Sequence, residues 1–160
     1  MRRRRANVTE ARPKAGYLAS LRALTCYCER LDGQPGDLDI VANSILGKVV
    51  WFENTGSKTK PELAAEKPVE VEWTGEQPKL AWGWLRPEGK GLLTQWRTTP
   101  VAMDWNKDGL TDLVMLDHEG YLSFFPRTKD GLQPPQRIFA DQNGKLLHLN
   151  NGSAGKSGRR

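Results

Sequence analysis

The stretch that most constrains this chain is nine residues long: Asp104-Trp105-Asn106-Lys107-Asp108-Gly109-Leu110-Thr111-Asp112. Side-chain oxygens stand at its first, third, fifth and ninth places, and Gly109 at the sixth lets the backbone fold back. Three carboxylates this close repel one another unless a cation sits between them. Ca²⁺ suits such a loop, since it takes about 6–8 oxygens at about 2.3–2.6 Å. The expected ligands are the carboxylates of Asp104, Asp108 and Asp112, the amide oxygen of Asn106 and the backbone carbonyl of Leu110, with water completing the shell. The competing reading is an Asx-rich turn between two strands, because Asp, Asn and Gly favour turns for their own reasons. Turn preference alone asks for such residues at one or two places, not at four.

An EF-hand would carry a bidentate Glu at its twelfth place, but that place is Met115. Its flanks would also be helical, whereas Thr99-Pro100-Val101-Ala102-Met103 and Leu113-Val114-Met115-Leu116 are short apolar runs that predict strands. With this loop and these flanks, the stretch resembles the calcium-binding repeat of the FG-GAP/VCBS family, the blades of integrin-type β-propellers. The resemblance implies a cation loop joining the first two strands of a four-stranded blade. Here that places strand one at 99–104 and strand two at 112–116. Asp117-His118-Glu119-Gly120 then makes a tight hairpin into a third strand over 121–125, with a fourth at 136–139.

The same pattern occurs earlier in the chain. Residues 37–43 predict a strand, 44–47 a turn and 48–53 its hairpin partner. Gly36, Asp39, Gly47 and Trp51-Phe52 precede Gly109, Asp112, Gly120 and Phe124-Phe125 by 73 residues each. Leu31, Gly33 and Pro35 stand where the later loop has Asp104, Asn106 and Asp108, so the first loop has lost its ligands; Asp32 and Asp37 are out of register. The expected organisation is all-β: about two four-stranded antiparallel blades of an incomplete β-propeller. An atypical, poorly ordered basic extension covers 1–30 and a degenerate first blade 31–77. A Trp-rich hairpin is inserted at 78–97, the calcium-loop blade spans 98–150 and a flexible basic tail follows at 151–160. Leu18, Leu21 and Leu24 offer two helical turns over 15–24 at most. A propeller closes with roughly four to eight blades, so the remaining blades are missing from this chain.

Charge narrows the function classes. The net charge is +5, and residues 1–14 alone hold six basic side chains against Glu10. Lys156, Arg159 and Arg160 add to the other end, which leaves the body between them acidic. The folded part therefore has no electrostatic reason to seek nucleic acid. The tail at 152–157 imitates a phosphate-binding loop, but Asn150 stands where its leading Gly belongs. Cys26 and Cys28, two apart, form neither a zinc pair nor a comfortable disulfide. No apolar signal region follows the four arginines, and no stretch approaches the ~20 apolar residues of a membrane span. An extracellular or periplasmic location follows from the resemblance alone.

Neither His118 nor His148 has a setting suited to a catalytic base. The leading expectation is a non-enzymatic calcium-binding module with a structural, adhesion or carbohydrate-contact role, its partner a glycan or another protein. The alternative is a non-catalytic part of a larger secreted polysaccharide-degrading enzyme. The six tryptophans, Trp82, Trp84 and Trp96 among them, serve either as blade core or as a sugar-stacking platform.

Overall fold

The computed structural model describes residues 23–29, 38–44, 46–57, 59–80, 86–96 and 98–149, the first of these segments by its backbone alone. Among them the chain is all-β. Strands β1 (Ala23–Glu29), β2 (Leu38–Asn43), β3 (Val49–Phe52) and β4 (Lys67–Pro68) form an antiparallel sheet in that order. Strands β5 (Val101–Met103), β6 (Asp112–Leu116) and β7 (Leu122–Phe125) form a second, and β8 (Arg127–Thr128) with β9 (Gly131–Leu132) a two-stranded ribbon. The sequence pattern places both hairpins within a residue or two. It did not place β1, whose Leu-rich approach suggests helix but which pairs along β2 and lies beside β5. The fourth strand expected at 136–139 is reduced to single bridges at Gln136 and Ala140. The basic ends, residues 30–37, and Trp82 and Trp84 lie outside the described residues.

The two hairpins are closed by the same bonds. Ser44 N donates to Lys48 O at 2.8 Å and Gly47 N to Ser44 O at 3.0 Å. Seventy-three residues on, Asp117 N donates to Tyr121 O at 2.8 Å and Gly120 N to Asp117 O at 3.1 Å. In each turn the side chain at the first place, Ser44 Oγ or Asp117 Oδ1, accepts two further turn amides. Each turn then bonds a following segment: Thr94 N to Gly47 O and Val49 N to Leu92 O, against Leu149 N to Gly120 O and Leu122 N to Leu147 O. Asp117 goes further, since its other oxygen takes Ser123 Oγ at 3.0 Å and Arg137 Nε at 2.7 Å.

Alternation along the strands sends Val41 and Val49 to one face of the first sheet. There, with Val69, Val71 and Leu92, they meet Leu113, Met115 and Phe125 of the second sheet and Leu132 of the ribbon. Fully burying each such side chain is worth about 1.5–3 kcal/mol. Trp51 and Trp73 are half-buried and pack against this seam, while Trp96 and Trp105 are exposed. Backbone bonds reinforce the seam, with Glu72 N donating to Leu132 O at 2.7 Å.

Gly47 shows how tightly the first turn is held. Its φ is +87°, and a Cβ there would stand 2.1 Å from Thr94 O. Gly144 also has positive φ, but a Cβ would meet nothing within 4 Å. Gly47→Ala is therefore expected to cost at least about 3 kcal/mol and Gly144→Ala about 1 kcal/mol, read from urea unfolding midpoints.

Candidate metal centre

The 104–112 loop leaves β5 and returns as β6, and its turns are made by its own side chains. Lys107 at φ +63° and Gly109 at φ +86° let the backbone reverse. Asp104 accepts Asp108 N on Oδ1 and Gly109 N on Oδ2, each at 3.0 Å. Asp108 Oδ1 accepts Leu110 N at 2.8 Å, and its Oδ2 accepts Asn106 Nδ2 at the same distance. Asn106 Oδ1 accepts Asp108 N at 3.0 Å. These three side chains are exposed, and Leu110 is half-buried.

Asp112 is different in kind. Its carboxylate is fully buried, takes Trp105 N at 2.9 Å and Asn106 N at 3.4 Å on Oδ2, and takes Arg127 N at 2.7 Å on Oδ1. Arg127 Nε also donates to Thr111 O at 2.9 Å. One side chain thus ties both ends of the loop to the start of the ribbon. Asp39 holds the corresponding place in the first hairpin, accepting Asn54 N at 2.9 Å, and 54 precedes 127 by the same 73 residues.

The five expected ligands therefore share one loop, but the side-chain oxygens of Asp104, Asn106 and Asp108 are turned to groups of that loop, and those of Asp112 to the amides of Trp105, Asn106 and Arg127. Among the described residues no three His, Cys, Asp or Glu side chains are gathered round a common point. The donor chemistry still fits a hard cation, because a carboxylate has about four acceptor positions and Asp104 and Asp108 each use two. The first loop's Asp32 and Asp37 lie outside the described residues.

Elsewhere the polar groups are committed to structure. His148 Nε2 lies 2.9 Å from Glu119 O, with its ring tilted against Tyr121 at 4.6 Å. Arg137 stands over the Tyr121 ring, 4.1 Å from its centroid, and pairs with Asp117 and Glu119. Burial disfavours the Arg137 charge, but the hydrogen bonds to those two carboxylates outweigh it and raise the guanidinium above its ordinary pKa. A cleft of about 470 Å³ opens between the hairpins, lined by Trp51, Lys67, Glu70 and Arg127 among others. Lys67 Nζ sits 4.9 Å over the Trp51 ring there, so one indole face is already occupied by a cation.

The sequence reading overlooked Asp117 and Arg127. The signal for Asp117 was present, since an Asp three residues before a Gly at a hairpin corner is the signature of a side chain capping its own turn. Nothing local marks Arg127, whose role exists only once the ribbon folds back on β6. No family model, curated protein or solved structure matches the chain. Among the described residues no helix is long and apolar enough to cross a membrane.

Asp112→Ala leaves three amides without their acceptor and should cost about 3 kcal/mol in chelator-treated protein. Asp104→Ala, on the exposed side of the loop, should cost about 1 kcal/mol or less under the same conditions. Chemical denaturation in the presence of EDTA checks both.

Proposed function

We propose that the two hairpin units are copies of one FG-GAP/VCBS-type propeller module, and that the second binds Ca²⁺ in its 104–112 loop to fix the geometry of a non-enzymatic adhesion or carbohydrate-contact surface. The observation that carries this reading is the division of labour within the loop. Asp112 is built into the sheet, while Asp104, Asn106 and Asp108 remain exposed with acceptor positions to spare. A cation held by these oxygens and the Leu110 carbonyl would supply the charge that three neighbouring carboxylates need. It would also tie the exposed side of the loop to its buried end. The matched turns and the matched Asp39 and Asp112 bonds support descent of both units from one module. Asp39 alone survives in the first unit from the second unit's set of side-chain ligands, so the proposal assigns one site, not two.

Calorimetric titration should show one Ca²⁺ per chain. Calcium at a hundredfold excess over its Kd should raise Tm by about 5–10 °C. Asp108→Ala is expected to abolish both effects and Asp32→Ala to leave both intact; equal behaviour of the two variants refutes the assignment.

A further inference from the structure

The cleft beside the seam draws its walls from segments far apart in the chain. Trp51, Lys67 and Val69 come from β3, β4 and the residue that follows, and Arg127 and Leu132 from the ribbon. Its floor is apolar, because Val69 and Leu132 are buried in the core cluster. Trp51 packs against the same cluster, which fixes its indole as one wall. Gly131 adds no side chain, and a Cβ there would already stand 3.3 Å from Glu72 Cγ, another lining group. The volume of about 470 Å³ is that of a small-ligand site, a class that spans roughly 300–1,000 Å³.

Around this floor stand two cations, Lys67 and Arg127, and two carboxylates, Glu70 and Glu72. Their charges cancel, so the rim does not select a strongly charged ligand. Lys67 is held by Glu53 at 2.6 Å, Glu72 by Lys90, and Arg127 by its amide on Asp112 and its Nε on Thr111 O. Glu70 is exposed. The backbone of the walls is committed elsewhere: Val69 N donates to Val49 O at 3.0 Å, Val69 O accepts Leu92 N at 2.7 Å, and Leu132 O accepts Glu72 N at 2.7 Å. Pro68, between Lys67 and Val69, has no N–H to offer. An added peptide strand therefore finds no open edge on these residues, and recognition falls to the side chains.

A sugar ring matches that profile, with an apolar C–H face and hydroxyls that each donate and accept. We propose that this cleft binds a short neutral saccharide, a ring's C–H face resting on Trp51, Val69 and Leu132 while its hydroxyls donate to Glu70 and Glu72 and accept from Lys67 and the Arg127 guanidinium. Lys67 Nζ stands 4.9 Å from the Trp51 ring centroid, but a cation over an exposed ring is weakly held. A saccharide can thus displace Lys67 from the indole while Glu53 remains its partner. The inference gives a place to the carbohydrate contact in the proposed function; it rests on that part of the reading and is independent of the calcium loop.

In the full chain with isotope-labelled tryptophan, the Trp51 indole N–H resonance is identified by its loss in Trp51→Phe. It should shift on titration with cellotetraose, mannotetraose or galactotetraose, with a Kd of about 1 mM or tighter for at least one of them. Glu70→Ala should weaken that binding about tenfold with wild-type circular dichroism. Glu76→Ala, exposed and outside the cleft, should leave it unchanged. A Trp51 resonance that none of the three saccharides moves overturns the proposal, as does a shift that Glu70→Ala leaves untouched. Tighter binding of trigalacturonate or of tetraglycine overturns it too, as the mark of an acidic-sugar or a peptide site. The titration is run in EDTA and repeated with Asp108→Ala, and saccharide binding should persist in both. Its failure leaves the calcium assignment standing, and a failed calcium titration leaves the cleft assignment standing.

Discussion

A short hairpin alone is marginal in water, and each sheet of this protein needs apolar cover from outside itself. The seam in which Val41, Val49 and Leu92 meet Leu113, Met115 and Phe125 supplies what each lacks, and the remaining features are placed by it. The 104–112 loop hangs from strands whose other face is locked in that seam. The ribbon joins the first unit through the same seam, where Leu132 is buried and bridges to Val71. The cleft lined by Trp51 and Arg127 opens beside the same junction.

Polar pins complete what apolar packing begins. Buried carboxylates are costly unless every oxygen is satisfied, and here Asp39, Asp112 and Asp117 each accept backbone amides at a strand end or turn. Asp112 joins this structural set and the candidate ligand set at once. Its position fixes one side of the loop to the fold, while the exposed Asp104 and Asp108 are held only by local amides.

Much of this was legible in the residues. The β-branched alternation of Ile40-Val41 and Val49-Val50, with a glycine three places after a capping side chain, defines the hairpins locally. Gly47 and Gly120 adopt the positive φ that such corners need. The acidic loop could be named from spacing alone, and the structure places it between the two strands expected to flank it. What local pattern could not reveal is where those carboxylates point in the folded chain. Asn106 and Asp108 bond each other and nearby amides, and spacing does not choose between that arrangement and ligation. Strand β1 was missed because its residues carry no alternation decisive enough to outweigh the leucines before it. Its strand character comes from pairing with β2.

The sequence by itself determined the all-β class, the two hairpin corners, the acidic loop and the 73-residue spacing between like positions, because each depends on residues close in the chain or on direct self-comparison. Only the tertiary structure decided which face of each sheet enters the seam, that Asp112 is bound by the Arg127 amide, and that Trp51 and Trp73 pack against the core. Those outcomes depend on contacts between segments far apart in sequence. Alternation says that a strand has two faces, but the packing partner decides which of them meets the other sheet.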